Sequence, residues 1–566
     1  MVQTVGAQTR DPLPSLLTVN EAMAAIILSY GVTDVFGLMG DDTCRLVSAL
    51  IEQGIRYHGA RHENAAVAMA AGYSIAAQRL GVCVISRGPG TTNGLTASVN
   101  ARNGGASVLV ITGDVAVEPT PNTLRIPDSK AFDVGALTAS CVIPKFTPHD
   151  AAYVWATTHE AIASASRGRT VFLTIPQDVF EATLTPPRES SLPRPVVFEP
   201  APARAEAIAS AISVLDDHRR ILIIGGAGAW YSGAREVLVG LADRLGAILA
   251  TTLRGKDMFR GHPYNVGIVG SFSHSAGRRL MEQADCILVF GASLNRYTTN
   301  NGTSLPSAPI IHVDAWRDNI GRFHWADVAV VGDARLVAEQ LVESVSSRDA
   351  GDKPFHTAET RQTLERFRLS DDFEPADTQR TLDPRTLLLQ LDELLPADRA
   401  VVTDNGNFFG FIPPHITVPT PDRFKLSSDF AVIGLGFGTA LGAAVARPET
   451  QSVLFIGDGG LLMSLGELET VARLDLPLII VVMNDCAYGA ERHFLELRNL
   501  SGKTAMSPDA DFAAMAQAFG IEAATVRTVD ELRSLKPILS GRTGPLLLDC
   551  KVNPTVMAPF LAELAH

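Results

Sequence analysis

Residues 455–489 read FIGDGGLLMSLGELETVARLDLPLIIVVMNDCAYG, and two apolar runs, SVLFI and LIIVVM, each stop at a carboxylate, Asp458 and Asp485. Short continuous apolar runs suit strands buried on both faces, as in parallel sheets covered by helices. Between the runs, Leu461, Leu465, Leu468 and Ala472 recur at helical spacing, so a helix is expected there. Strand, helix, strand is a crossover unit, right-handed as a rule, whose parallel strands end on the same edge of the sheet. Asp458 and Asp485, 27 positions apart in the chain, are then expected within a few ångströms of each other, at the edge where such sheets bind ligands.

The same alternation runs through the chain. VTDVFGLMG, VCVIS and SVLVIT come first, ILIIGGAG, ILVFGAS and IIHVDA in the middle, AVVTDNGN, SVLFIGDGG, LIIVVMND and PLLLDCKV last. Two stretches interrupt it: a proline-dense one over 186–204 and a polar, charged one over 346–384. At 566 residues the chain exceeds one core. Three doubly wound α/β domains are expected, near 10–185, 200–345 and 385–555.

Composition narrows the partners. A net charge of −13 argues against nucleic acid or an anionic membrane. No apolar run reaches the ~18–20 residues of a membrane span, and the opening MVQTVGAQTRDPLP lacks the pattern of a signal peptide. The six cysteines have no paired spacing, which fits a reducing cytoplasm and suggests neither disulfides nor zinc.

Two carboxylates side by side repel unless a cation stands between them. Oxygen ligands at a strand-end crevice suit Mg²⁺, which keeps waters and a substrate phosphate in its shell. Gly457, Gly459 and Gly460 would let a phosphate approach the backbone N–H groups that open the helix. The bland alternative is that Asp458 caps the helix and Asp485 sits in a turn.

GDG, a helix, an apolar strand and then Asn-Asp resembles the thiamine-diphosphate motif, with Asp485 where an asparagine is usual. The chain resembles the thiamine-diphosphate-dependent 2-oxo acid decarboxylase and carboligase family, and in overall pattern its acetolactate synthase branch. The resemblance implies a pyrimidine-binding, a central and a diphosphate-binding domain, and thiamine diphosphate with Mg²⁺ as cofactors. It implies that Asp458, Asp485 and the carbonyl of Ala487 hold the metal, and that Glu63, in RHENAAVAMAAGY, is the carboxyl meeting the aminopyrimidine. Ile433 would wedge the two rings together, and the Ala431 carbonyl would meet the 4′-amino group. Asn405, Gly406, Asn407 and Phe408 match a second diphosphate loop. Glu63 and Asp458 would serve one cofactor from different subunits of a homodimer or homotetramer.

Substrate residues are read from Arg87 and Gly88, in SRGPGTTNG, and from Phe132. The glutamine that acetolactate synthases carry beside that phenylalanine is missing, as is the histidine pair of pyruvate decarboxylases. His62 and His415 are expected to be structural. In the central domain Gly226 and Gly228 begin a dinucleotide fingerprint, but Tyr231 holds the third glycine's place. FAD is therefore the less favoured occupant, and non-redox if present. These residues point to a lyase or transferase that decarboxylates a small 2-oxo acid and passes the acyl unit to a carbonyl acceptor. A non-ligating decarboxylase, an acyl-CoA or C–C lyase, a flavin- or nicotinamide-linked oxidoreductase and a catalytically silent relative are the alternatives.

Overall fold

The structure is a computed structural model that describes residues 16–118, 128–186, 199–346, 348, 354–540 and 542–564. Of the two expected connections, 187–198 in the first and 347 and 349–353 in the second lie outside the described residues.

Three six-stranded sheets form, each parallel throughout. The first holds β1 (Asp34–Leu38), β2 (Arg56–Gly59), β3 (Gly81–Ile85), β4 (Val108–Asp114), β5 (Lys145–Phe146) and β6 (Thr170–Pro176), in the order 2-1-3-4-6-5. The second holds β7 (Ile221–Gly225), β8 (Ile248–Thr251), β9 (Asn265–Ile268), β10 (Cys286–Phe290), β11 (Ile310–Asp314) and β12 (Val328–Val331), ordered 9-8-7-10-11-12. The third holds β13 (Arg399–Thr403), β14 (Phe424–Leu426), β15 (Gln451–Gly457), β16 (Leu478–Asn484), β17 (Glu522–Val526) and β18 (Leu546–Lys551), ordered 14-13-15-16-18-17. The first and third sheets thus share one winding. The second has the order of a dinucleotide-binding fold. The central strands of each are sealed from solvent, as their continuous apolar runs require.

One helical expectation is corrected. The segment between β15 and β16 is two helices, α1 (Asp458–Met463) and α2 (Glu467–Leu474), rather than one. The Ser464 hydroxyl donates to the Gly460 carbonyl at 2.9 Å and Gly466 caps the second helix, so the chain turns between them. Among the described residues no helix is long and apolar enough to cross a membrane.

The first and third domains join through a helix pair, Glu63–Ala77 and Leu435–Ala446. Both are alanine- and glycine-rich and buried on nearly every side. A Cβ on Gly442 would stand 1.9 Å from the Met69 carbonyl oxygen, and one on Gly72 would stand 2.1 Å from that of Thr439. Backbone meets backbone here because no side chain intervenes. Gly442→Val is expected to destabilise the protein by about 1–3 kcal/mol, the usual scale of overpacking. Gly240→Ala, at an exposed helical position with open space around it, is expected to stabilise by about 0.5–1 kcal/mol. Thermal and denaturant melts of both variants check the contrast, and equal effects would contradict the close crossing.

Candidate active site

The edge where β13, β15 and β16 end carries three aspartates. Met483 of β16 lies beside Gly457 of β15, so the residues that follow those strands emerge side by side. Asp458 is then the first residue of α1, capped by Gly457 with no side-chain hydrogen bond. It therefore does not act as the helix cap. Asp458 and Asp485 interact directly: they share a hydrogen bond, and burial pushes Asp458 up to about 6. Burial first, and then the charge of Asp458, hold Asp485 well above the usual carboxylate range. Two such carboxyls must keep a proton between them or gain a cation.

The surrounding loops close in to van der Waals distance. A Cβ on Gly459 would stand 2.6 Å from the Tyr488 ring, and one on Gly460 would stand 2.5 Å from Asp404 Oδ2. Only hydrogen fits at either place, which leaves backbone facing the crevice. Among the described residues no group of three or more His, Cys, Asp or Glu side chains could hold a metal ion. Any cation here has two carboxylates and must take further oxygens from backbone, water or ligand, as Mg²⁺ commonly does.

Asp404, at the end of β13, was not singled out in the sequence, although AVVTD ends on a carboxylate as the other two strands do. It is fully buried. It accepts hydrogen bonds from Gly434 N at 2.6 Å, Gly436 N at 3.0 Å and the Ser427 hydroxyl at 3.1 Å. Burial raises it to about 6. These bonds bind the loop of Ala431 and Ile433 to the strand edge. Ala431 sits there at φ +53°, a left-handed conformation that an alanine adopts at a cost.

The twelve third-domain residues read as cofactor or metal contacts line one cavity of about 1090 Å³: Asn405, Gly406, Asn407, Phe408, Ala431, Ile433, Gly457, Asp458, Gly459, Gly460, Asp485 and Ala487. The opposite wall is the second domain, with Gly228, Asn295, Tyr297 and Trp316. The amide of Asn407 is committed on both ends, donating to the Val556 carbonyl at 2.9 Å and accepting from Ala558 N at 2.9 Å. Its side chain thus anchors the C-terminal segment. Gly226 and Gly228 pack on Gly291, with Cβ positions 2.1 Å from its oxygen and 2.8 Å from its Cα. That contact accounts for both glycines as close packing between β7 and β10.

No described residue of the first domain lines this cavity. Glu63 opens the helix Glu63–Ala77, half-buried, and accepts from Asn93 Nδ2 at 3.0 Å. Gly90 packs on its other oxygen, with a Cβ position 3.2 Å from Oε1. Its height is set from the third domain, where buried Glu467 accepts Arg61 N at 2.9 Å and His62 N at 3.1 Å. His62 caps the helix by accepting Asn64 N at 3.1 Å. Arg87 is paired with Asp128 at 2.6 Å, so its guanidinium is already neutralised. Gly88, at φ +71°, packs on Lys130, and Phe132 is half-buried nearby in the chain.

Three profiles match the chain: the thiamine pyrophosphate enzyme N-terminal binding domain over 17–132, the central domain over 208–341 and the C-terminal binding domain over 404–550. A probable acetolactate synthase large subunit of Methanocaldococcus jannaschii is 27% identical over 559 residues, 96% of this chain and 93% of that one. The acetolactate synthase isozyme 2 large subunit of Escherichia coli is 28% identical, over 93% and 94%. A sulfoacetaldehyde acetyltransferase of Rhodobacter capsulatus is 27% identical, over 96% of each chain. Among solved structures, a thiamine diphosphate-dependent 4-hydroxybenzoylformate decarboxylase of Rhodococcus jostii superposes with a TM-score of 0.80 at 24% identity, over 95% of this chain and 99% of that one. That likeness speaks to the fold.

The carboxylate pair makes a test that needs no assay. In cation-free protein both carboxyls hold protons more tightly folded than unfolded. Their ionisation therefore removes stability as pH rises above about 4, the unfolded value. Asp485→Asn should raise the melting temperature of EDTA-treated protein at about pH 7, by a margin that shrinks as pH falls toward about 4. A variant melting below its parent at about pH 7 contradicts the repulsion.

Proposed function

Because the chain belongs to the thiamine-diphosphate-dependent enzyme family, acetolactate synthase-like in its relatives, we propose that it decarboxylates a small 2-oxo acid and transfers the acyl unit to a carbonyl acceptor. The observation that carries this reading is the contact between Asp458 and Asp485 in a glycine-walled cavity. The donor set fits a Mg²⁺–diphosphate unit. Two buried carboxylates need a cation, and the backbone N–H groups that open α1 at Gly459 and Gly460 could meet phosphate oxygens. Asp458, Asp485 and the Ala487 carbonyl would hold the metal.

When bound, thiamine diphosphate supplies a carbon nucleophile and an electron sink for the pair released with CO₂. The chain's own residues bind, orient and exclude water. Ile433 and the Ala431 carbonyl stand on a loop that Asp404 fixes, so a buried carboxylate would set where they meet the rings. Glu63 would hold the proton at the aminopyrimidine nitrogen. No histidine lines the cavity among the described residues, and His415 lies outside it, pushed down to about 4 by burial. The walls this chain supplies thus offer no histidine to protonate the intermediate, which supports transfer to a second carbonyl.

Since the cavity lacks a first-domain wall, Glu63 would come from a second copy of the chain, in a closed dimer or a tetramer of two dimers. The acceptor differs among the relatives, one of which is named for sulfoacetaldehyde. Here the missing glutamine beside Phe132 favours an aldehyde or larger ketone over a second 2-oxo acid.

Apo protein prepared with EDTA should regain activity only when both thiamine diphosphate and Mg²⁺ return, and full activity without them overturns the reading. Incubation with labelled pyruvate and a panel of acceptors, read by mass spectrometry, should give a ligated product. Acetaldehyde as the sole product would make the enzyme a decarboxylase. Glu63→Gln should fold and bind cofactor yet lose ~10²-fold or more of rate. Mixing it with Asp458→Ala protein should restore part of the activity through hybrid dimers. No recovery after proven subunit exchange would place both residues in one chain's site.

A further inference from the structure

A second cavity, about 400 Å³, lies between the helix Ser275–Met281 of the second domain, the connection over 369–373 and the third-domain turn over 410–415. Arg278 and Arg279 line it, and neither has an ion pair among the described residues. Arg278 is half-buried, and its Nε is sealed from water with no partner. An unpaired, partly desolvated guanidinium is costly unless something anionic meets it. A third arginine, Arg385, is neutralised by Asp383 at 2.6 Å and lies over the Phe373 ring at 4.2 Å.

His415 closes the floor, 8% exposed. Its Nδ1 donates to the Phe411 carbonyl at 2.8 Å, and burial keeps the ring neutral at ordinary pH. Nε2 is therefore a bare lone pair, buried and without a donor. Two carboxylates also line the space, Glu282 and Asp372, the latter accepting Ser275 N at 2.9 Å. Among the described residues neither carboxylate pairs with Arg278 or Arg279, so the cavity presents two open guanidinium groups beside one buried acceptor at His415.

We propose that this cavity binds a small oxyanion that carries its own hydroxyl proton, a hydrogen phosphate or a short hydroxy acid. Its acidic oxygens meet Arg278 and Arg279, and its O–H donates to His415 Nε2. The ligand would rest against Phe272, which also lines the larger cavity and packs on Phe409 and Phe560 with ring centroids 5.4 and 5.9 Å away. Occupancy is therefore placed to alter the wall of the larger cavity, independently of what reaction occurs there.

The test is calorimetric titration of the full chain, saturated with thiamine diphosphate and Mg²⁺, at constant ionic strength. The probes are inorganic phosphate, lactate, sulfate and acetate. Phosphate or lactate should bind and sulfate and acetate should bind several-fold more weakly, since they carry no hydroxyl proton at neutral pH. Binding of phosphate alone identifies the inorganic source, and binding of lactate the hydroxy acid. Arg278→Gln with Arg279→Gln should weaken the bound probe by about tenfold or more, the scale of a charge-assisted contact. If that double variant melts early, Arg279→Gln alone, at an exposed position, should still weaken it several-fold. Sulfate binding as tightly as phosphate, or a phosphate affinity unchanged by the arginine variants, overturns the proposal. Should the protein fail to take up thiamine diphosphate, the arginine variants still separate this cavity from the larger one.

Discussion

Two carboxylates buried in contact are an electrostatic liability, and the third domain is arranged around that one. Asp458 and Asp485 project from adjoining strand ends because β15 and β16 are parallel and in register. Backbone N–H groups at Gly459 and Ala487 and the charge of Arg492 relieve the pair in part, but burial outweighs them. Without a cation the pair must hold a proton, which a bound cation would replace. The glycines at 459 and 460 let the start of α1 pack closely, the first against the Tyr488 ring and the second against Asp404.

Asp404 has a different part. Its carboxylate is saturated by two backbone N–H groups and a hydroxyl, all from the loop that carries Ala431 and Ile433. Three strand-end aspartates thus divide the work, two facing the crevice and one tying down its wall. The first domain is coupled to the third by backbone contact between two small-residue helices, and by Glu467 gripping the backbone just ahead of Glu63. Glu63 is consequently held by elements of both domains and does not line its own chain's cavity.

The relatives share this frame across different named reactions. In this chain Arg87, the readable candidate for meeting an anionic substrate, is already paired with Asp128.

Local regularities carry through the fold without aid from tertiary contacts. Parallel sheets were legible because buried strands leave continuous apolar runs, and the Asp458–Asp485 pairing because a crossover makes its two strands parallel, so both end on one edge. The break at Ser464–Gly466 was not legible, since the apolar spacing continues across it while a serine hydroxyl and a glycine cap turn the chain. Asp404 obeys the same strand-end pattern as its neighbours, yet its role depends on Gly434 and Gly436, about thirty residues on, and on their close approach. Asn407 sits in a loop whose sequence suggests ligand contact, but its amide reaches Val556 and Ala558, which spacing along the chain does not reveal. The sequence by itself determined which residue types end the strands and therefore what chemistry that edge can support. Which carboxylates face the cavity, and which is locked into the wall, only the tertiary structure decided, because hydrogen-bond partners are chosen by proximity in space.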